Sequence, residues 1–253
     1  MLREITGMYN ERKGSVGAGY EFFGCKKIFH RKPGEEPMAN TYTYSRREEI
    51  ANAITHGIGA VLSVAALVLL IVFASLKGTT WHVVSFTIYG ITMLLLYTNS
   101  TLLHSLREGK LKDLFEIFDH SCIYLFIAGS YTPFMLVALR GTLGWTLFGV
   151  IWGIALFGVL FKAFFTKRFL FMSTVFYIVM GWLITIAWNP LVAAVPAGGM
   201  TLLFLGGLMY TLGTIFYVWR AFPYHHAIWH LFVLAGSILH FLAVLLYLTP
   251  VRV

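Results

Sequence analysis

Apolar residues fall in seven runs, at about 52–76, 81–106, 114–139, 143–165, 169–188, 199–220 and 224–249. A helix rises about 1.5 Å per residue, so each run is long enough to cross the ~30 Å hydrocarbon layer of a bilayer. The runs between 114 and 165 and between 143 and 188 are nearly continuous, and Arg140-Gly141 and Lys167-Arg168 are where they break. The pattern predicts an all-α protein, a seven-transmembrane-helix bundle.

The first 44 positions follow no such pattern. They are polar and mixed, with Gly14, Gly17, Gly19, Gly24, Pro33, Gly34 and Pro37, and read as a flexible tail ahead of a membrane domain at 45–253. Met38 opens a segment that looks like a natural start, so residues 1–37 are either part of that tail or an upstream extension. Ser45-Arg46-Arg47-Glu48 has the capping-box pattern: the Ser45 hydroxyl takes the amide three residues on, and Glu48 reaches back. The first helix is expected to begin there.

Basic residues orient the bundle. Sixteen Lys and Arg lie in the tail through Arg47, in the connections at 107–113 and 162–168, and at Arg220, against three on the other side, Lys77, Arg140 and Arg252. Positive charge stays inside. The N-terminus is therefore expected in the cytoplasm and the C-terminus outside. Trp81, Trp145, Trp188 and Tyr247 then lie near the outer face, as an aromatic belt would.

Composition agrees. Hydrophobic residues make up 58% of the chain and charged residues 12%, half the ~25% of a typical soluble domain. The net charge of +8 comes from residues flanking the spans, which suits anionic headgroups rather than nucleic acid. The expected setting is multi-pass in the cell membrane, with membrane lipids as partners. Cys25 and Cys122 form no motif, and Cys122 reads as a packing residue. The first 45 residues hold no apolar core followed by a cleavage site, so no signal peptide is expected.

Ionisable groups inside a bilayer are costly and usually functional. His226 and His230 open the last span four residues apart, so their imidazoles share one helix face and suit one metal ion. His104 closes the second span, with Ser100 one turn before it. Asp119, the last acidic residue in the chain, lies about 9 Å into the third span. The orientation from Lys and Arg puts all four in the cytoplasmic half at similar depth. Three imidazoles and a water are a familiar catalytic zinc arrangement, with Asp119 as a fourth ligand or as the group that orients the water and takes its proton. Ser100 would steady that carboxylate or an oxyanion.

Plainer roles stand beside these. A lone intramembrane His usually bonds to a neighbouring helix. Asp119 has Lys112 and Arg107 as alternative partners, and Ser100 has the Leu96 carbonyl. His56 lies at the same depth and is expected to line the pocket, with Gly57 and Gly59 allowing close helix packing. His225 points about 100° away from His226, and His240 lies about 15 Å beyond His230. His82 belongs to the outer end, and His120 faces away from Asp119. Pro133 is expected to kink the third span.

The stretches REEIANAITHGIGA, NSTLLHSL, FDHSCIYLFIAGSYTP and HAIWHLFVLAGSILHF resemble the hemolysin III family over about 45–250. That family belongs with the progestin-and-adipoQ-receptor group, which includes the adiponectin receptors. The resemblance implies seven spans, zinc on His104, His226 and His230, Asp119 contacting its water, and Ser100 in the same motif as His104. A wider superfamily includes alkaline ceramidases. Three functions follow as expectations: a zinc-dependent hydrolase of lipid amide or ester bonds, a cytolytic or channel-forming protein, and a sensor of membrane state with structural zinc.

Overall fold

The computed structural model describes residues 43–166 and 168–249. The expectations for residues 1–42, for Met38 as a start and for Cys25, Lys167 and Arg252 lie outside the described residues. The helices are α1 (Arg46–Lys77), α2 (Thr80–Ser105), α3 (Lys110–Pro133), α4 (Thr142–Phe165), α5 (Leu170–Trp182), α6 (Trp188–Ala194), α7 (Ala197–Val218) and α8 (His225–Tyr247). A π turn, Phe134–Ala138, extends α3, and a 3-10 turn, Leu183–Ala187, joins α5 to α6. Seven helical stretches are long and apolar enough to cross a membrane, α5 to α6 counting as one.

The capping box forms as expected. Glu48 N donates to Ser45 Oγ at 3.3 Å, and Ser45 N donates to Glu48 Oε2 at 2.8 Å. The first helix consequently starts six residues before its apolar run, at Arg46. The expected breaks also occur: Gly141, at φ 140°, precedes α4, and Arg168 lies in the connection before α5.

Two spans are irregular, each for an identifiable reason. Pro133 has no N–H for the carbonyl one turn back, and the ladder continues as a π turn in which Leu139 N donates to Phe134 O at 2.9 Å. The fifth span runs to Ala194, beyond its expected end at 188. Its irregularity comes from α3: the Tyr131 hydroxyl donates to Met180 O and Gly181 O, at 2.9 and 2.6 Å, and accepts from Ile184 N at 2.9 Å. A side chain inserted into a helical ladder breaks its register, and the 3-10 turn lies at that insertion.

The bundle closes on itself, with α1 packed on α2, α2 on α3, α3 on α4, α7 on α8, and α8 back against α1. Small residues permit the close approaches. A Cβ at Gly59 would collide with the Tyr97 ring on α2, and one at Gly129 would collide with Thr92. The Tyr97 hydroxyl donates to Ser237 Oγ on α8 at 2.7 Å, so α1, α2 and α8 are tied at one level. That junction carries the site described next.

Candidate metal centre

His104 at the end of α2 meets His226 and His230 in the first two turns of α8. The ring centroids are 5.1 Å apart for His104 and His226, 5.2 Å for His104 and His230, and 4.5 Å for His226 and His230. One ring nitrogen of each lies within 4.8 Å of the others, and all three residues are buried. Among the described residues this is the group of His, Cys, Asp and Glu that could hold a metal ion.

The hydrogen bonds select which nitrogens are bare. Glu49 Oε2 lies 2.6 Å from His104 Nδ1, so Nδ1–H donates to the carboxylate and Nε2 keeps its lone pair. His104 Nε2 is buried with no hydrogen-bond partner. His230 Nδ1 lies 3.2 Å from Asn52 O and 3.1 Å from Thr55 Oγ1. The Thr55 hydroxyl already donates to Ala51 O and Asn52 O, so Nδ1–H is the donor here and Nε2 is again bare. His226 Nδ1 is buried without a partner. Buried, unpaired imidazole nitrogens converging on one point are unfavourable unless something binds them. The donor set fits a borderline cation such as zinc.

The residues around the cluster come mainly from α1. Glu49, Asn52, Thr55 and His56 hold the rings: Glu49 bonds His104, Asn52 and Thr55 bond His230, and His56 stacks on His230 with centroids 3.4 Å apart. Lys112 Nζ holds the free oxygen of Glu49 at 2.5 Å and also Glu108 at 2.7 Å. Lys112 is therefore engaged by Glu49 and Glu108, the pairing considered above for Asp119. Glu48 Oε1 accepts from Tyr224 N at 3.1 Å. Tyr224 caps α8 at φ 61°, so one carboxylate fixes the start of both α1 and α8, two residues before His226.

Asp119 and Ser100 face a cavity that also exposes His56, His226 and His230. Ser100 Oγ is buried with no hydrogen bond of normal geometry, so the expected alternative bond to Leu96 O does not form, and it stands beside the Asp119 carboxylate. The cavity leaves about 110 Å³ for the centre of a water-sized sphere and runs past Phe126, Tyr210 and Trp182 to His240. Its walls are predominantly apolar, with a few polar groups at one end, as in small-molecule sites.

His120 Nε2 lies 3.1 Å from the hydroxyl of Tyr217, whose ring is 5.8 Å from that of His226. His240 Nε2 donates to Leu203 O at 3.0 Å. His82 caps α2 through Thr79. Glu49 and Lys112 were missed as parts of the site. A signal for Glu49 existed: Glu49, Asn52 and His56 recur at helical spacing at the start of an otherwise apolar span.

Fold and cluster together define a multi-pass integral membrane protein with an intramembrane histidine site. The model of the family described as Haemolysin-III related matches residues 44–241, and the chain belongs to that family. It is 58% identical over 208 residues to the Hemolysin-3 homolog of Bacillus subtilis (strain 168), covering 82% of this chain and 98% of that one. It is 56% identical over 204 residues to Hemolysin-3 of Bacillus cereus, covering 81% and 93%. Human monocyte to macrophage differentiation factor is 30% identical over 233 residues, covering 88% and 94%.

Proposed function

We propose that this protein is an intramembrane zinc-dependent hydrolase of lipid amide or ester bonds, oriented with its N-terminus in the cytoplasm. One observation carries the reading: three buried imidazoles with bare nitrogens converge beside a long apolar cavity into which Asp119 also projects. A bound ion would supply a Lewis acid and an activated water. Asp119 takes the proton from the attacking water and returns it to the leaving nitrogen or oxygen. Ser100 holds the Asp119 carboxylate in place. Glu49, Asn52 and Thr55 fix the His104 and His230 tautomers so that the ligating nitrogens stay unprotonated. The cavity shields the scissile bond from bulk water and takes a hydrocarbon chain.

Metal analysis of the purified protein tests the site. The wild type is expected to carry one zinc per chain and His226→Ala/His230→Ala close to none; equal contents would remove the reading. Chemistry is tested with Asp119→Asn, which is expected to keep its metal while turnover of a ceramide-type amide or lipid ester falls about 10²–10⁴-fold.

The names of the Bacillus relatives favour a second reading, lysis by pore formation. Conductance in protein-containing liposomes separates the two. A pore needs no metal, so conductance unchanged in His104→Ala would support it.

A further inference from the structure

The face of α3 turned away from Asp119 carries a second group of buried polar atoms. Tyr124 marks the junction of three helices there. Gly158 of α4 lies against its ring, where a Cβ would stand 2.5 Å from Cδ1, and the Tyr177 ring of α5 is 4.6 Å away, centroid to centroid.

Helix α4 runs antiparallel to α3 and α5. One turn from this junction, toward the side of the membrane where α1 begins, lie Ser121 on α3, Lys162 on α4 and Ser173 on α5. They are three, four and four residues from Tyr124, Gly158 and Tyr177, the spacing that keeps side chains on one helix face. The three share a layer and are 6%, 0% and 1% exposed. Among the described residues, Lys162 Nζ, Ser121 Oγ and Ser173 Oγ all lack hydrogen-bond partners. The Tyr124 hydroxyl stands beside Ser173. Glu116 and His120 act on Lys162 electrostatically without bonding it.

A lysine this close to a helix end ordinarily snorkels to the interface; here its ammonium is enclosed. A buried ammonium without a partner is strongly unfavourable. The unmet groups are a cation and two hydroxyls, a set that donates to an oxyanion. Lys162 is one turn from the end of α4 at Phe165 and Ser173 one turn from the start of α5 at Leu170, so a phosphate can reach them from the adjoining ends of these two helices.

We infer that Lys162, Ser121 and Ser173 form a binding site for a phosphate group, one turn inside the adjoining ends of α4 and α5 and against α3. The site asks nothing of the metal centre, whose three histidines lie on α2 and α8. The group is carried by an anionic phospholipid or by free phosphate, and the test separates the sources.

The purified protein is placed in phosphatidylcholine nanodiscs and its melting temperature followed against two probes, added phosphatidylglycerol and dissolved inorganic phosphate. The wild type is expected to be stabilised by at least one of them. Loss of a charge-assisted bond weakens binding by about ten-fold or more, so Lys162→Met is expected to need at least ten times as much probe for half its effect. Ser121→Ala/Ser173→Ala is expected to move in the same direction and carries the test if Lys162→Met does not fold. Arg168→Gln, which alters only surface charge, is expected to respond as the wild type does. A response to phosphatidylglycerol alone assigns the site to a lipid headgroup, and a response to inorganic phosphate assigns it to a free oxyanion. Equal responses of wild type and Lys162→Met to both probes, or no response of the wild type to either, would overturn the inference.

Discussion

Glu49 Oε2 lies 2.6 Å from His104 Nδ1, and the other oxygen of the same carboxylate receives Lys112 Nζ at 2.5 Å. A chain of charge therefore runs from the exposed start of α3 to the buried imidazole on α2. Removing an outer partner of a metal-bound His typically costs 10–100-fold in metal affinity. Glu49→Gln is expected to fall in that range, measured by competition with a chromophoric chelator. An affinity equal to wild type would show that the carboxylate does not set the His104 tautomer.

Metal removal is expected to destabilise the bundle, because the cluster ties α2 to α8. A ligand present at 100 times its dissociation constant stabilises by about 2.7 kcal/mol. Thermal unfolding with and without chelator should show a drop in the wild type and none in His104→Ala.

Glu48 caps α1 through Ser45 and α8 through Tyr224 N. Two backbone N–H groups lose their acceptor in Glu48→Ala, at about 1 kcal/mol for each cap. A loss of roughly 2 kcal/mol is expected in a reversible unfolding assay, against much less for Arg47→Ala, whose side chain is exposed.

Gly181 lines the cavity, and a Cβ there would meet nothing within 4 Å. Gly181→Leu is expected to fold normally and shorten the space for a hydrocarbon chain. Turnover of long-chain substrates should fall while short-chain turnover persists. A loss equal for all chain lengths would mean that the chain does not occupy this end.

Gly59→Ala drives a Cβ into the Tyr97 ring, whose hydroxyl holds Ser237. Forcing a group into a packed site typically costs 1–3 kcal/mol. The expected loss of thermal stability should exceed that of Gly57→Ala, where the nearest atom is 3.7 Å away.

Seven apolar runs with polar breaks largely dictate seven helices, since hydrocarbon leaves the backbone no other partner than itself. The capping box at Ser45 and Glu48, the π turn after Pro133 and the pairing of His226 with His230 all follow from residues within four or five positions of each other. The 3-10 turn in the fifth span does not, because its cause is a tyrosine on another helix, Tyr131.

The candidate site divides in the same way. His104, Asp119, His226 and His230 stand out in the sequence because ionisable groups in a membrane are rare. Spacing alone already puts two of them on one face. Which nitrogen of His104 and of His230 is bare was decided by Glu49, Asn52 and Thr55, and they act from α1, 55 and 175 or more residues away. A helix period is local and can be read along the chain. A hydrogen bond between helices depends on how the bundle closes, and only packing fixes that.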